Sequence, residues 1–348
     1  MPAVPDTVRR WAAALFATLV MGAQPALAQA QEDPAQQAVR QRLEALQDAT
    51  VGVEVRVVEG AASGRTLGRQ RKGTGVLVDA QGGLVLTIGY LVLEAESVQL
   101  VTRDQRKLPA TVVAYDAVSG LGLLRPLVPL PNARPVKLGM ASALAKGSPL
   151  LVATGSSPRQ VGAVRLVDKR PFTGYWEYHL DTGLFTSPPL LNHSGAGLFN
   201  AEGELVGLGH LLMRDVMPAD SAQALPGNLF VPVEVLPPIL DALLRTGEHP
   251  QARRPWMGVN AAEMDAQVRI TRVNEGSPAE SAGLRPGHWV TAVDGEPVRT
   301  LEAFYKKVWA HPAADGPIRI TIREAGQTRT LEVPVRDRSQ GMARPRGI

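Results

Sequence analysis

Ser194 is the strongest candidate nucleophile in this chain. It lies in the run Asn-His-Ser-Gly-Ala-Gly over residues 192–197. A serine hydroxyl is a weak nucleophile unless a nearby base accepts its proton, and a third group must orient that base. His193 is adjacent in sequence, but neighbours in an extended loop point in opposite directions, and His179 has no evident partner. The run therefore predicts acyl-transfer chemistry only if another part of the fold supplies a base.

The composition excludes several other kinds of chemistry. The chain has no cysteine, which rules out thiol catalysis, thiolate metal sites and disulfides. Its 6 histidines are scattered without metal-ligand spacing, so we predict no metal site and no cofactor. The formal net charge of +4 arises from 37 basic and 33 acidic residues, which are dispersed rather than gathered into a basic stripe. We therefore expect no nucleic-acid partner.

Residues 1–30 have the layout of a secretory signal peptide. Arg9 and Arg10 precede an apolar run over 11–23, and Ala26-Leu27-Ala28 fits the small-residue rule for cleavage. The apolar run is short for a bilayer span, so a retained anchor is the less favoured alternative. A cysteine-free exported chain fits a bacterial periplasm. We predict a periplasmic protein with no stable membrane insertion.

Residues 49–247 have the pattern of an all-β domain. Alternation with a period of two begins with four valines: Val51, Val53, Val55 and Val57. Short apolar runs then recur between Gly, Pro, Asp and Asn residues, which is typical of a barrel or a sandwich. A helix is predicted over 233–245, with Gly247 as its stop. A helical segment over 31–48 precedes the domain and is either a surface helix or a subunit contact.

A second, smaller domain is predicted over residues 256–336. The polar, proline-flanked stretch 248–255 is the best candidate for a linker between the domains. Strand-like runs and a last hairpin at Ala325-Gly326 surround an apolar-periodic helix over 301–309, for which Thr300 is a suitable cap. Residues 337–348 are expected to form a disordered tail.

Several motifs of both domains resemble those of the HtrA/Deg family, whose members are exported serine proteases. The matching segments are 73–79, 83–87, 116–124, 192–196 and 203–207 in the first domain, and 256–259, 277–279, 282–287 and 293–295 in the second. The resemblance covers about residues 49–336. It implies a chymotrypsin- or trypsin-like double β-barrel followed by a small α+β PDZ domain.

The resemblance also implies a degenerate catalytic triad. Ser194 keeps the nucleophile position, but Tyr90 stands where the family has its histidine and Gly120 where it has its aspartate. A phenol has an ordinary pKa near 10, far from that of a useful base at neutral pH. Asn192 replaces a glycine of the oxyanion loop, where we expect backbone strain. His210 is an alternative base, although a partly buried polar residue is the favoured interpretation.

The PDZ-like segment keeps the residues that a peptide-binding loop requires. In such domains a peptide adds as a strand to a sheet edge, and its terminal carboxylate meets backbone N–H groups of a loop. The resemblance assigns those groups to Met257, Gly258 and Val259, with Trp256 beside the pocket. The helix over 301–309 would form the opposite wall. His288 replaces a commonly acidic residue and is expected on the surface.

Three functions remain open from the sequence. The leading hypothesis is a proteolytically inactive HtrA-like protein that binds unfolded or C-terminal peptide segments in protein quality control or regulation, with an active HtrA-like relative as a possible partner. The first alternative is an active serine endopeptidase that uses Ser194 with a non-standard base. The second is an adaptor that holds partners in an envelope complex. The resemblance also implies homo-oligomers, trimers in particular.

Overall fold

The computed structural model describes residues 34–79, 83–132, 134–218, 221–249 and 254–343. The predicted signal peptide over 1–30, the middle of the predicted linker and the end of the predicted tail lie outside these residues. By contacts, one compact unit ends at Gln41 and the other runs from Arg42. The second unit contains every strand described below. No helix in the described part of the chain combines the length and the apolar character that crossing a bilayer requires.

Two closed six-stranded antiparallel barrels follow one another along the chain. The strands of the first barrel are β1 (Thr50–Val57), β2 (Gln70–Leu77), β3 (Val85–Ile88), β4 (Ala95–Val101), β5 (Lys107–Tyr115) and β6 (Leu121–Pro126). The strands of the second are β7 (Pro149–Ala153), β8 (Val161–Gly174), β9 (Tyr178–Ser187), β10 (Gly197–Phe199), β11 (Leu205–Met213) and β12 (Gly227–Pro232). Pairing of β1 with β4, and of β7 with β10, closes each barrel.

A third sheet forms the C-terminal domain, in the order β13-β14-β15-β17-β18, with β16 paired to β15. Its strands are β13 (Val259–Met264), β14 (Gln267–Val273), β15 (Trp289–Val293), β16 (Glu296–Pro297), β17 (Ile318–Glu324) and β18 (Gln327–Val333). Because β13 lies at the end of this order, one of its edges has no strand of this sheet beside it. The predicted fold class, a double β-barrel followed by a small α+β domain, is confirmed.

Helices are few and short. The α-helices are α1 (Pro34–Ala49), α2 (Ala62–Leu67), α3 (Gly89–Val92), α4 (Leu240–Thr246), α5 (Pro278–Ser281) and α6 (Leu301–Ala310). The 3₁₀ turns are Ala141–Ala143, Val233–Val235, Ala313–Asp315 and Arg338–Gly341. Thr300 caps α6 by accepting a hydrogen bond from the Ala303 N–H, as predicted. Buried Leu301, Phe304 and Val308 turn one face of α6 onto the sheet.

The continuous helix predicted over 233–245 is wrong. The chain forms a 3₁₀ turn at Val233–Val235, and α4 begins only at Leu240. Pro237 and Pro238 lie between them, and proline removes the backbone donor and clashes with the preceding turn. The predicted stop is confirmed: Gly247 has φ +71° and its N–H donates to the Leu243 carbonyl.

Alternation in β1 places its valines in the core as predicted. Val51, Val53, Val55 and Val57 are all buried. The first barrel has its own apolar core, which continues into part of the second barrel, and the C-terminal domain has a separate one beneath α6. Each domain therefore has the buried apolar surface that it needs to hold loops in fixed positions at its ends.

Candidate functional site

The loop that carries Ser194 is fixed by hydrogen bonds to strands of both barrels. The Thr74 N–H, in β2, donates to the Ser194 carbonyl (2.9 Å), and the Gly195 N–H donates to the Gly209 carbonyl of β11 (2.8 Å). Gly195 has φ +74°, and a Cβ there would lie 2.2 Å from the Thr74 oxygen. Only glycine fits this approach. The serine is thus held at the junction of the two barrels.

Tyr90 is the side chain that meets the Ser194 hydroxyl. It lies in α3, directly after β3, and its Oη donates a hydrogen bond to Ser194 Oγ at 2.7 Å and lies 3.3 Å from the His210 carbonyl oxygen. Burial raises the pKa of Tyr90 to about 12, although the hydrogen bond to Ser194 acts in the opposite direction. The phenol therefore keeps its proton at neutral pH. Ser194 faces a donor here rather than a base.

Gly120 leaves room that Tyr178 fills. Gly120 lies in the turn between β5 and β6 with φ +78°, and a Cβ there would lie 2.7 Å from Tyr178 Oη. That hydroxyl donates to the Ser119 carbonyl at 2.8 Å. Burial raises the pKa of Tyr178 well above its ordinary value, and nearby Tyr115 and Asp116 raise it further. The space in which a carboxylate at position 120 would begin is occupied by a neutral aromatic ring.

His210, the alternative base, is enclosed by aromatic rings. Its ring centroid lies 5.1 Å from that of Tyr178, 5.8 Å from that of Trp176 and 5.9 Å from that of Tyr90. The side chain is 4% exposed, and within the described ranges neither ring nitrogen has a hydrogen-bond partner. Burial, and to a lesser degree the charge of His193, lowers the pKa of His210 to about 3. No hydrogen bond places it on Ser194.

The oxyanion-loop position carries no backbone strain. Asn192 is absent from the described residues with positive φ, so its backbone conformation is one that any residue adopts. The expectation of backbone strain at Asn192 is therefore wrong. Its side-chain amide donates to the Pro158 carbonyl at 3.4 Å, and His193 Nδ1 lies 3.0 Å from the Leu191 carbonyl. Both side chains contact backbone carbonyls rather than Ser194.

The C-terminal domain converges three backbone N–H groups on one carboxylate. Gly258 and Val259 donate to Glu177 Oε1 at 2.7 and 2.9 Å, and Met257 donates to Oε2 at 3.1 Å. Gly258 has φ +82°, and a Cβ there would lie 2.3 Å from Ser277 Cβ. The loop therefore depends on glycine to present its donors side by side. The carboxylate belongs to the same chain, in the connection between β8 and β9.

The groove between β13 and α6 is also occupied by that connection. The Ala261 N–H, in β13, donates to the Tyr175 carbonyl at 2.9 Å, and Tyr305 Oη, in α6, donates to the same carbonyl at 3.0 Å. Tyr175, Trp176 and Glu177 form the three-residue loop between β8 and β9. The β8–β9 loop of the second barrel thus contacts the edge strand of the third sheet through the Tyr175 carbonyl.

Comparison with known proteins supports two domains of different families. Residues 73–208 match the family described as a trypsin-like peptidase domain, and residues 269–323 match the PDZ domain. Periplasmic serine endoprotease DegP of Salmonella typhimurium is 24% identical over 303 residues, which are 81% of this chain and 61% of that protein. The chain is an HtrA/DegP-like protein. Serine protease PepD of Mycobacterium tuberculosis is 29% identical over 293 residues, 77% of this chain and 61% of PepD.

Solved structures show the same fold. The HtrA-type protease AlgW, solved with a decapeptide, has a TM-score of 0.52 at 17% identity and is matched over 85% of this chain and 98% of its own. The serine endoprotease from Yersinia pestis has a TM-score of 0.50 at 18% identity, over 85% and 96%. The HtrA/DegP-like chain spans about 60% of the length of the curated relatives it matches: 61% of the Salmonella protein and 54% of a Chlamydia pneumoniae relative.

Two site residues escaped the sequence analysis, Glu177 and Tyr178. The signal was a concentration of aromatic residues: Tyr175, Trp176 and Tyr178 are 3 of the 10 tyrosines and tryptophans in the chain (5 Tyr and 5 Trp). Such a cluster around one acidic residue is unusual for an exposed hairpin tip, where Gly, Asn and Asp predominate. It indicated that part of the tip packs against another element, as Glu177 and Tyr178 do.

His288 was predicted on the surface, and this is wrong. The side chain is 1% exposed. Its Nδ1 accepts a hydrogen bond from the Arg285 N–H at 3.2 Å, and Nε2 lies 3.2 Å from Glu324 Oε1. The ring folds back onto its own turn and accepts a hydrogen bond from a backbone N–H there, which accounts for its burial.

Proposed function

We propose that this HtrA/DegP-like protein is proteolytically inactive and acts by binding peptide segments through its PDZ domain. One observation carries the first half: Ser194 Oγ accepts a hydrogen bond from Tyr90 Oη, 2.7 Å away. Acyl transfer by serine requires a group that removes the hydroxyl proton as the oxygen attacks. A protonated phenol in that place offers a proton instead of accepting one.

Neither neighbouring titratable group can take over the base role near neutral pH. With a pKa of about 12 for Tyr90, the phenolate fraction at pH 7 is about 10⁻⁵. His210, with a pKa of about 3, is neutral at pH 7, but within the described ranges its nitrogens contact no hydrogen-bonding group. A general base must be within hydrogen-bond reach of the proton it removes. His210 lacks that contact and would bind a proton only in acid.

The position of the third group is closed to a carboxylate. Tyr178 Oη lies 2.7 Å from where the Cβ of residue 120 would be, so an acid at position 120 has no room to orient an imidazole. Losing triad members leaves only the catalysis that binding and the oxyanion hole supply. The aromatic cluster of Tyr90, Trp176, Tyr178 and His210 therefore works as packing between the barrels.

The PDZ groove keeps what peptide binding needs. The N–H groups of Met257, Gly258 and Val259 hold a carboxylate at 2.7–3.1 Å, and β13 is the edge strand of the sheet, the element to which a peptide adds. These features support binding of segments with a free C-terminal carboxylate, as exposed by unfolded or cleaved proteins. AlgW, with the same fold, was solved with a decapeptide.

We place this activity in the periplasm, in protein quality control or in the regulation of an active relative. The curated relatives include periplasmic endoproteases, and the sequence begins with the pattern of a signal peptide. Mixed assembly with an active relative, or a homotrimer, would bring several PDZ grooves together and raise the avidity for unfolded chains.

An active-site probe tests the inactivity. Purified protein is treated with a fluorophosphonate that carries a fluorophore, beside the Ser194→Ala variant and a trypsin-like enzyme as a positive control. We expect equal background labelling of wild type and variant, because no base activates the hydroxyl. Labelling of the wild type that disappears in Ser194→Ala would establish the alternative, an active serine endopeptidase with a non-standard base.

A further inference from the structure

Resting on the proposed function, we infer that the β8–β9 loop is a built-in ligand of the PDZ groove, with the Glu177 carboxylate in the place of a peptide's C-terminal carboxylate. A peptide can then bind only by displacing this loop. The sequence places the two partners 80 or more positions apart, and the fold brings them within 3.1 Å. The inference concerns what fills the groove in the resting protein.

The loop uses both kinds of contact that an added peptide uses. Its carboxylate takes all three donors of the loop at 257–259, and its Tyr175 carbonyl takes the Ala261 N–H of the edge strand β13. Tyr305 Oη, from the helix wall, closes on the same carbonyl. A C-terminal peptide that adds as a strand combines backbone pairing along the edge with capture of its carboxylate. A bound peptide and this loop cannot occupy the groove together.

Glu177 ends the three-residue β8–β9 turn in the left-handed conformation that such turns commonly require. It has φ +57°, a conformation in which glycine, asparagine and aspartate are usual and glutamate is not. Its side chain is nearly inaccessible, at 6% exposure. Burial raises the pKa of the Glu177 carboxyl, while the three N–H donors and Arg338 act in the opposite direction. A buried carboxyl with three aimed donors has the surroundings of a bound ligand.

Apart from the contacts of Glu177 and the two contacts of the Tyr175 carbonyl, the polar contacts between the second barrel and the PDZ domain each have an exposed partner. Lys306 of α6 pairs with Asp181 of β9 at 3.2 Å, and Asp181 is 87% exposed. Glu302 lies 3.6 Å from His179. Exposed ion pairs are screened by salt and contribute little to stability. Glu177 and the Tyr175 carbonyl are therefore the contacts that hold the loop in the groove, with Glu177 taking the three donors of the loop at 257–259.

When the β8–β9 loop fills the groove, the apparent association constant for a peptide is the intrinsic one multiplied by the fraction of molecules whose groove is open. The Glu177→Gly variant removes the carboxylate and retains the turn, since glycine accepts φ +57° without strain. Glu177→Gln is a second variant that keeps the side-chain volume. Asp181→Asn is the matched control, because it removes a charge from the same region outside the groove.

Binding is measured by fluorescence anisotropy with a randomised decapeptide pool that ends in a free carboxylate, beside the same pool with an amidated end. We expect Glu177→Gly to bind the carboxylate pool about tenfold more tightly than wild type, Asp181→Asn to stay within about twofold, and the amidated pool to bind none of them. Equal affinity of wild type and both Glu177 variants would overturn the inference. Near-ultraviolet circular dichroism of each variant checks the fold.

Amide hydrogen exchange separates this inference from the proposed function. In the wild type we expect Gly258 and Val259 to be protected, and in Glu177→Gly to exchange at least about tenfold faster. If that increase occurs but no variant binds the pool, occupation of the groove stands and the peptide-binding function fails. Unchanged exchange at Gly258 would overturn the built-in ligand even if peptides bind.

Discussion

Two sites of this molecule, the cleft at Ser194 and the PDZ groove, are both filled by consecutive residues of one hairpin. Tyr178 enters the cleft beneath Gly120, and Glu177 enters the groove. In the cleft, the ring of Tyr178 fills the space at Gly120, where the family has its aspartate. In the groove, the Glu177 carboxylate takes the place of a peptide carboxylate. The first kind of filling is part of the core, whereas the second leaves every donor of the site intact.

The cleft has lost the groups that catalysis requires, whereas the groove keeps its binding groups and is only covered. In the cleft, Tyr90 and His210 have pKa values of about 12 and about 3, so neither exchanges a proton with Ser194 near neutral pH. In the groove, the three N–H groups keep the spacing that a carboxylate requires. Removing the loop from the groove should therefore restore peptide binding. The same change should not restore catalysis at Ser194.

The cleft is most sharply tested by rebuilding its acid. Gly120→Asp places a side chain 2.7 Å from Tyr178 Oη at φ +78°, which combines strain, overpacking and a buried unpaired charge. We expect the free energy of unfolding to fall by about 4 kcal/mol, measured by urea denaturation. Gly60→Asp is the control, because Gly60 has φ +76° and open space around it; it should lose only about 1 kcal/mol.

If Gly120→Asp proved as stable as Gly60→Asp, the hairpin would yield easily at the cleft, and the contrast between a packed cleft and a covered groove would disappear.

A smaller effect is expected in the groove from Gly258→Val. A Cβ at this position meets Ser277 Cβ at 2.3 Å, so the loop must move and its donors must separate. We expect a loss of about 2 kcal/mol in stability and loss of peptide binding even when Glu177 is replaced by glycine. Gly283→Val, at the same φ of +82° with no atom within 4 Å, should retain binding. Retained binding in Gly258→Val would show that the loop at 257–259 does not bind the peptide.

The smallest effect concerns acid stability through His210. Its folded-state pKa of about 3 lies below the ordinary histidine value of 6.5, so the unfolded chain binds the proton first. Stability from this group is complete above pH 6.5 and is lost as the pH falls toward 3. From pH 7 to 5.5, we expect His210→Phe to lose about 1 kcal/mol less than wild type. Parallel curves for the two proteins would show that His210 is solvated and able to accept protons.

Much of the fold was predictable because its signals are local. Alternating valines gave β1, Thr300 gave the start of α6, and Gly247 gave the end of α4. The break before Leu240 was readable from Pro237 and Pro238, although the apolar spacing outweighed it in the prediction. These features depend on near neighbours, which a pattern can represent.

The candidate site was predictable only in part. The sequence identified Ser194, Tyr90 and Gly120 as positions of interest, and the loop at 256–259 as a carboxylate site. It did not show that Tyr178 fills the space at Gly120 or that Glu177 reaches Gly258. Both contacts join strands or domains far apart in the chain, and no periodicity records them. The burial of His288 was missed for a related reason, since a polar residue after a glycine turn usually faces water.

The central claim is tested most directly by incubating unfolded casein with the wild-type protein, with and without a saturating carboxylate-ended decapeptide, and analysing fragments by mass spectrometry. The peptide displaces Glu177 and frees the neighbouring hairpin, which gives Ser194 its best opportunity to react. We expect intact casein in both samples. Fragments that appear with peptide and vanish in Ser194→Ala would show that Ser194 is a working nucleophile.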